Sequence, residues 1–290
     1  MILFKKFGEF LISFDLKTNA KWFVLSCLIG IVAGLGAIVF DVLIQVVEHN
    51  SLVAISGFDH PQTVGEHSIY KSKEDNSDFS PWLMLVVITL GGLASGLIVY
   101  TFAPEAEGHG TDAAIDAFHT KRGIIKPIVP VIKTIASALT LGTGGSAGRE
   151  GPIAQIGAGF GSWVATALKL SARDRRIMLA AGVGAGIGAI FRAPLAGALF
   201  AAEILYSNAD FESDVIVPAA MSSIIAYSIY CMSLPAGLRF MPLFGNELQH
   251  TVGSHMELIP YTILSVILSL SAMIYVKTFY GTNRIFKALP

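Results

Sequence analysis

Charge is what this sequence has least of. Only 14% of its 290 residues are Asp, Glu, Lys or Arg, against roughly 25% in an ordinary soluble domain. That is too little to coat a water-facing surface. The 20 basic and 21 acidic residues nearly cancel, so no excess of positive charge exists to hold a nucleic acid. Cysteine is almost absent. Cys27 and Cys231 are the two present, each within an apolar stretch and neither in a CxxC or Cys/His spacing. A disulfide framework and a thiolate metal site are therefore not expected. Low complexity, collagen-like repeats and heptads are missing as well. What is abundant is apolar: 53% hydrophobic residues and 29 scattered glycines, with a mean hydropathy of +0.63. This is the composition of an integral membrane protein.

Four runs are long enough to span a bilayer as helices of about 20 residues: 22–47, 82–103, 214–233 and 258–280. Asp41 is the only charge in the first. Before it, residues 1–21 carry Lys5 and Lys6 but also Glu9 and Asp15, with no small-residue cleavage site. They read as an amphipathic surface helix rather than a signal peptide. Between residues 104 and 207 the pattern changes. Apolar pieces at 127–142, 152–168, 176–191 and 194–206 are short and are separated by GHGTD, GTGGSAGREGP and FRAPLAG. Such pieces predict broken or re-entrant helices, which are tolerated at membrane depth where they line a cavity or are buried in protein. They are also the sequence's best pointer to a transport site. If 127–168 and 176–206 each enter and return as a pair, fourteen of the 20 lysines and arginines fall on one side. The positive-inside rule makes that side cytoplasmic.

The densest motif is GTGGSAGREGPIAQIG, residues 142–157. Gly148, Arg149, Glu150 and Gly151 end a glycine-rich loop, and Pro152 suits the first position of the helix that follows. Free backbone N–H groups and the positive end of the helix dipole make such a start an anion site. Glu150 then lies at an anion site inside the membrane, a functional residue by default, or else a plain capping acid. The same stretch contains Gly144-Gly145-Ser146-Ala147-Gly148, the pattern of a hydrolase nucleophile elbow. An elbow needs a strand before it and Asp and His partners after it. Ser146 in a helical, membranous context is a weak candidate for an intramembrane serine hydrolase. Gly108-His109-Gly110-Thr111-Asp112 is a second glycine-flanked turn, before a short amphipathic helix at 111–119. It offers either another set of free amides or an N-cap by Thr111 or Asp112. Glu203 is the only acid in the helix after FRAPLAG. Its spacing fits a structural ion pair and a proton site equally well.

Together, these three motifs resemble those of the CLC family of chloride channels and chloride/proton antiporters. That family carries a GxGxP loop, a GREGP or GKEGP loop, and a GxxAxFxAPLAGxLFxxE segment. The second is matched in full at Gly148 to Pro152. The third is matched well, from Gly184 through Phe191, then Ala193 to Gly197 and Glu203, and the first partly at Gly108 to Asp112. The resemblance runs from about residue 22 to Pro290. It implies an all-α, polytopic membrane fold of inverted repeats with broken and re-entrant helices. On this reading residues 1–290 are a single transmembrane domain, with 22–233 as the first repeat and 258–290 as the start of the second. It implies a protein that is not an enzyme, chloride as the transported ligand, no cofactor and no metal. It also implies protons as a second ion in the exchangers, a homodimer in the bilayer, no nucleic-acid partner, and a place in the plasma (inner) membrane of a bacterium. Glu150 is the implied gate. Gly108, His109, Gly110, Gly148, Arg149 and Gly151 are the implied anion-binding residues, and Glu203 is a candidate on the proton path.

Three departures stand out. His109 replaces the family's usual serine. Ile204 stands where exchangers carry a second, proton-handling glutamate. The GxFxP loop and pore tyrosine of the second repeat do not occur within the 290 residues, so the chain alone is expected to lack a complete site. A secondary transporter of another substrate, built on broken helices, is the alternative within the same class.

Overall fold

The computed structural model describes residues 18–59, 65–70, 79–205, 213–243 and 254–288. The surface helix expected over 1–21 lies outside the described residues, apart from its last four. The chain divides into two units, residues 1–245 and 246–290. The described residues contain helices and turns and no strand.

The first described helix of the first unit is α1, Thr18–Glu48, which continues as a wider helical turn through His49–Ser56 and stops at Gly57 in a left-handed conformation. The other helices are α2 (Pro81–Phe102), α3 (Thr111–His119), α4 (Ile128–Gly142), α5 (Glu150–Ala167), α6 (Ala172–Ile190), α7 (Pro194–Leu205) and α8 (Ser213–Ser233). Their order along the chain is the expected one, and α3 covers the expected residues. α5 begins two residues before Pro152. A proline is tolerated anywhere in the first turn, where its missing N–H has no partner to lose. α6 begins four residues before its apolar run, because Ser171 caps it, its side chain accepting from the Asp174 backbone N–H.

Ion pairs and loop contacts fix which ends lie together. At one end Lys21 Nζ meets Asp174 at 2.8 Å and Arg173 pairs with Asp214. Arg175 donates to the Arg122 carbonyl at 3.4 Å, and a His119 ring nitrogen lies 2.7 Å from the Leu205 carbonyl. The starts of α1, α6 and α8 therefore sit beside the ends of α3 and α7. At the opposite end Ser80 N–H donates to Ser56, Ser51 Oγ to the Gly142 carbonyl at 2.9 Å, and Gly65 N–H to Leu243. Consequently α4 with α5, and α6 with α7, each enter from the basic end and return to it.

Helices pack backbone to backbone, as expected where lipid supplies no hydrophobic drive between them. A Cβ on Gly157 would collide with the Gly182 carbonyl across the α5–α6 contact, and one on Gly182 with Gly157. Gly30 of α1 brings Ser222 of α8 so close that a Cβ would lie 2.6 Å from its carbonyl. Two buried hydroxyls of α8 bond to neighbouring helices: Ser222 donates to the Ala181 carbonyl and Ser223 to that of Pro194. α2 shows mostly apolar side chains outward, among them Trp82, Leu90 and Leu97, and touches α4 through Ser95, which donates to the Ala136 carbonyl at 2.9 Å.

The second unit holds a short turn, His255–Glu257, and α9, Leu258–Lys287. α9 is longer than the expected 258–280. Its hydroxyls at Thr262, Ser265, Ser269, Ser271 and Thr278 all donate to carbonyls three or four residues back in the same helix. A helix in hydrocarbon must satisfy its polar groups this way. Among the described residues, four helical stretches are long and apolar enough to cross a membrane: Lys21–Ser56, Pro81–Phe102, Asp214–Ser233 and His255–Phe286.

Candidate functional site

The two glycine-flanked motifs meet. Gly108 and Gly110 both have positive φ, +78° and +109°. These angles suit glycine, which has no Cβ to clash, and they turn the chain sharply into α3. The turn lands on the start of α5. A Cβ on Gly151 would collide with the His109 carbonyl, and a Cβ on Gly110 would lie 2.6 Å from the Gly151 carbonyl. Two residues 41 positions apart in sequence are thus in backbone contact. The resemblance implied a shared site, and the geometry brings its pieces, 108–110 and 148–151, together.

Neither helix start is capped by a side chain. Gly110 stands at the cap position of α3 and Arg149 at that of α5, both without a capping side-chain bond. The N-cap expected from Thr111 or Asp112 is not formed. Their side chains turn to His109 instead. The Thr111 hydroxyl lies 2.5 Å from His109 Nδ1, and Asp112 Oδ2 lies 3.1 Å from Nε2. In the neutral ring this corresponds to the hydroxyl donating to Nδ1 and Nε2–H donating to the carboxylate. Uncapped starts leave backbone N–H groups and partial positive charge exposed at both α3 and α5, which favours a small anion.

Lys133 supports the turn from behind. It comes from α4, is 3% exposed, and its ammonium donates to the carbonyls of Ala106 at 3.0 Å and Gly108 at 2.6 Å. Gln155, one turn into α5, is buried against the same segment and donates to the Glu105 carbonyl at 3.0 Å. Sequence reasoning left both residues out of the site. A lysine inside a broken apolar region was the available signal for Lys133.

Glu150 is the first residue of α5 and is exposed. Its carboxylate folds back over its own loop, so that a Cβ on Gly148 would strike Oε2. Arg149 points elsewhere. Its Nη2 meets Glu66 at 2.9 Å and its Nη1 meets Asp41 at 3.4 Å. The guanidinium is therefore engaged by two carboxylates. Ser146 follows helix α4 and a turn rather than a strand, so the elbow geometry is absent. Glu203 lies exposed near the basic end of α7 and joins no ion pair among the described residues, while Ile204 is half-buried against the core. At the basic end, outside the spanning helices, a hydrogen bond from Lys121 holds Asp116 below the usual carboxylate range. No cluster of three metal-ligating residues occurs among the described residues.

The chain is similar to several known proteins. An uncharacterised protein of Methanocaldococcus jannaschii is 27% identical over 271 residues, 93% of this chain and 58% of its own. The chloride channel protein CLC-e of Arabidopsis thaliana is 26% identical over 75% of this chain and 29% of its own. The H(+)/Cl(-) exchange transporter ClcA of Yersinia pestis is 30% identical over 66% of this chain and 37% of its own. The chain therefore spans well under two thirds of the length of each of these relatives. The crystal structure of a slow cyanobacterial Cl-/H+ antiporter has the same fold, with a TM-score of 0.70 over 93% of this chain and 59% of that one, at 22% identity. The family model for voltage gated chloride channels matches residues 91–290, which include both glycine-flanked turns and the site they build, and the chain belongs to that family.

Proposed function

We propose that this protein moves chloride across a membrane, with Glu150 as its gate. The observation carrying this reading is the contact between Gly110 and Gly151. It sets two uncapped helix starts side by side, and one of them begins with a carboxylate. A site built from helix N-termini stabilises one anion well and two poorly. Ionised Glu150 and chloride therefore compete for it. Protonated Glu150 loses its attraction for the helix start and leaves the site to chloride. Lys133 adds a fixed positive charge behind the turn and keeps its carbonyls from facing the anion. The backbone amides, rather than the His109 ring, are the proposed donors, because that ring is bonded to Thr111 and Asp112.

On this reading the protein is a transporter or channel rather than an enzyme. A homodimer in a bacterial plasma membrane belongs to the same reading and is carried by the family alone. Ile204 cannot carry a proton, which favours weak proton coupling. The test is chloride efflux from liposomes holding the full-length protein, with Glu150→Gln beside the wild type. The variant keeps the shape and removes the charge. Efflux is expected to persist or rise, and its dependence on pH to flatten. Absence of chloride efflux from the wild type would overturn the transport reading, and an unchanged pH profile in the variant would overturn the gate.

A further inference from the structure

Arg149 and Glu150 are sequence neighbours of opposite charge at the exposed end of a helix. Such a pair meets readily unless something holds it apart. Here two elements each bring a carboxylate to the guanidinium. Asp41 of α1 takes Nη1 and Glu66 of the segment 65–70 takes Nη2. Asp41 is itself fixed, receiving a hydrogen bond from Gln45 Nε2 at 2.9 Å and another from the Tyr230 hydroxyl of α8. Gln45 Oε1 accepts from the Ile69 backbone N–H at 2.8 Å. His49 stacks flat on Tyr70 at 3.9 Å, and Gly65 N–H donates to Leu243. The segment that delivers Glu66 is thus tied down at both ends. The fork of Arg149 is turned away from Glu150, whose carboxylate lies over Gly148.

We propose that Asp41 is a positioning residue of the gate: with Glu66 it withholds the Arg149 guanidinium from Glu150 and leaves that carboxylate mobile. The proposal rests on Glu150 as the gate. Arginine stays charged at every working pH, and its planar fork fits a carboxylate with two parallel bonds. Loss of the Asp41 charge leaves the guanidinium held by Glu66 through Nη2 alone, and the freed Nη1 edge becomes available to the adjacent Glu150. An ion pair on the outer side keeps Glu150 off the helix start and resists its protonation. Asp41→Asn therefore resembles removal of the gate. Chloride efflux at neutral pH rises, and its stimulation by acid weakens.

A two-step cycle in liposomes tests this with the native protein. Asp41→Asn is expected to raise neutral-pH efflux and displace the pH midpoint by about one unit, a tenfold change in pairing preference. The effect should vanish when Glu150→Gln or Arg149→Gln is already present, and Asp41→Glu should restore the wild-type profile. A merely structural role would lower efflux by the same factor in all backgrounds, and that result would overturn the proposal. So would a silent Asp41→Asn. If Glu150→Gln alone changes nothing, the gate reading itself has failed, and the two failures are told apart.

Discussion

Gly110→Ala is the sharpest perturbation of the site, because Gly108→Ala provides its own control. Both glycines have positive φ, but their surroundings differ. A Cβ on Gly108 meets nothing within 4 Å. Its cost is the left-handed backbone alone, roughly 1–2 kcal/mol for an L-residue. A Cβ on Gly110 would lie 2.6 Å from the Gly151 carbonyl, 3.0 Å from Gln155 Oε1 and 3.1 Å from Gln155 Cβ. The first distance is about 0.8 Å short of an ordinary contact, and that neighbour is backbone, which cannot swing aside. Overpacking of this kind costs about 1–3 kcal/mol. The backbone at φ +109° and ψ −29° adds about 1–3 kcal/mol for a non-glycine residue. The total, about 2–6 kcal/mol, is relieved most cheaply by moving the 108–110 turn off α5. That separates the two helix starts. Chloride efflux and the melting temperature in detergent should both fall in Gly110→Ala, while Gly108→Ala keeps most of its efflux and melts closer to the wild type. Equal behaviour of the two variants, or a worse Gly108→Ala, would refute the contact as the basis of the site.

Two further outcomes follow from the same geometry. Lys133→Met removes two charge-assisted hydrogen bonds but also a buried charge, and these offset so that stability changes by no more than about 2 kcal/mol. Chloride affinity should suffer more, since the ammonium is the positive charge that backs the 106–108 turn; a radiolabelled-chloride binding curve, read beside the melting temperature, checks this. Adjacent helical side chains point about 100° apart, so Glu203 does not occupy the place of Ile204. A chloride gradient should then drive little proton movement under a valinomycin clamp, and Glu203→Gln should leave chloride efflux within about twofold, the range of ordinary surface changes. Robust uphill proton transport that Glu203→Gln abolishes would make Glu203 the proton site.

The helices and their breaks were legible because membrane segments announce themselves by apolar length. The position of the candidate site was legible because GHGTD and GREGP keep glycine where the backbone must turn or touch. The side-chain partners were not. Arg149 reads as part of an anion-binding motif, yet its charge is engaged 108 positions away by Asp41 and also by Glu66. Asp41 was visible as the only charge of its span, but nothing local says what it meets. His109 reads as a stand-in for a hydroxyl donor, yet Thr111 and Asp112 lie within reach on the first turn of α3 and engage both ring nitrogens. Such choices depend on which elements the fold brings together, and a single strand of letters does not carry that.

The glycines show the same division. In the sequence Gly110 and Gly157 look alike. In the fold Gly110 is there for its backbone angle, whereas Gly157 sits mid-helix, where glycine ordinarily weakens a helix by about 1 kcal/mol relative to alanine. Its justification lies on another helix, since a Cβ would strike the Gly182 carbonyl. The same contact recurs one turn along in each direction. Gly161 faces the Met178 carbonyl, and Gly186 approaches Ile153 so that a Cβ would lie 2.7 Å from its carbonyl. Three such contacts lock the sliding position of α5 against α6. The start of α5 carries the proposed anion site, so this lock also sets the depth of Glu150 relative to the turn at Gly110. Substitutions at Gly157 or Gly161 should therefore disturb the site although neither residue touches it.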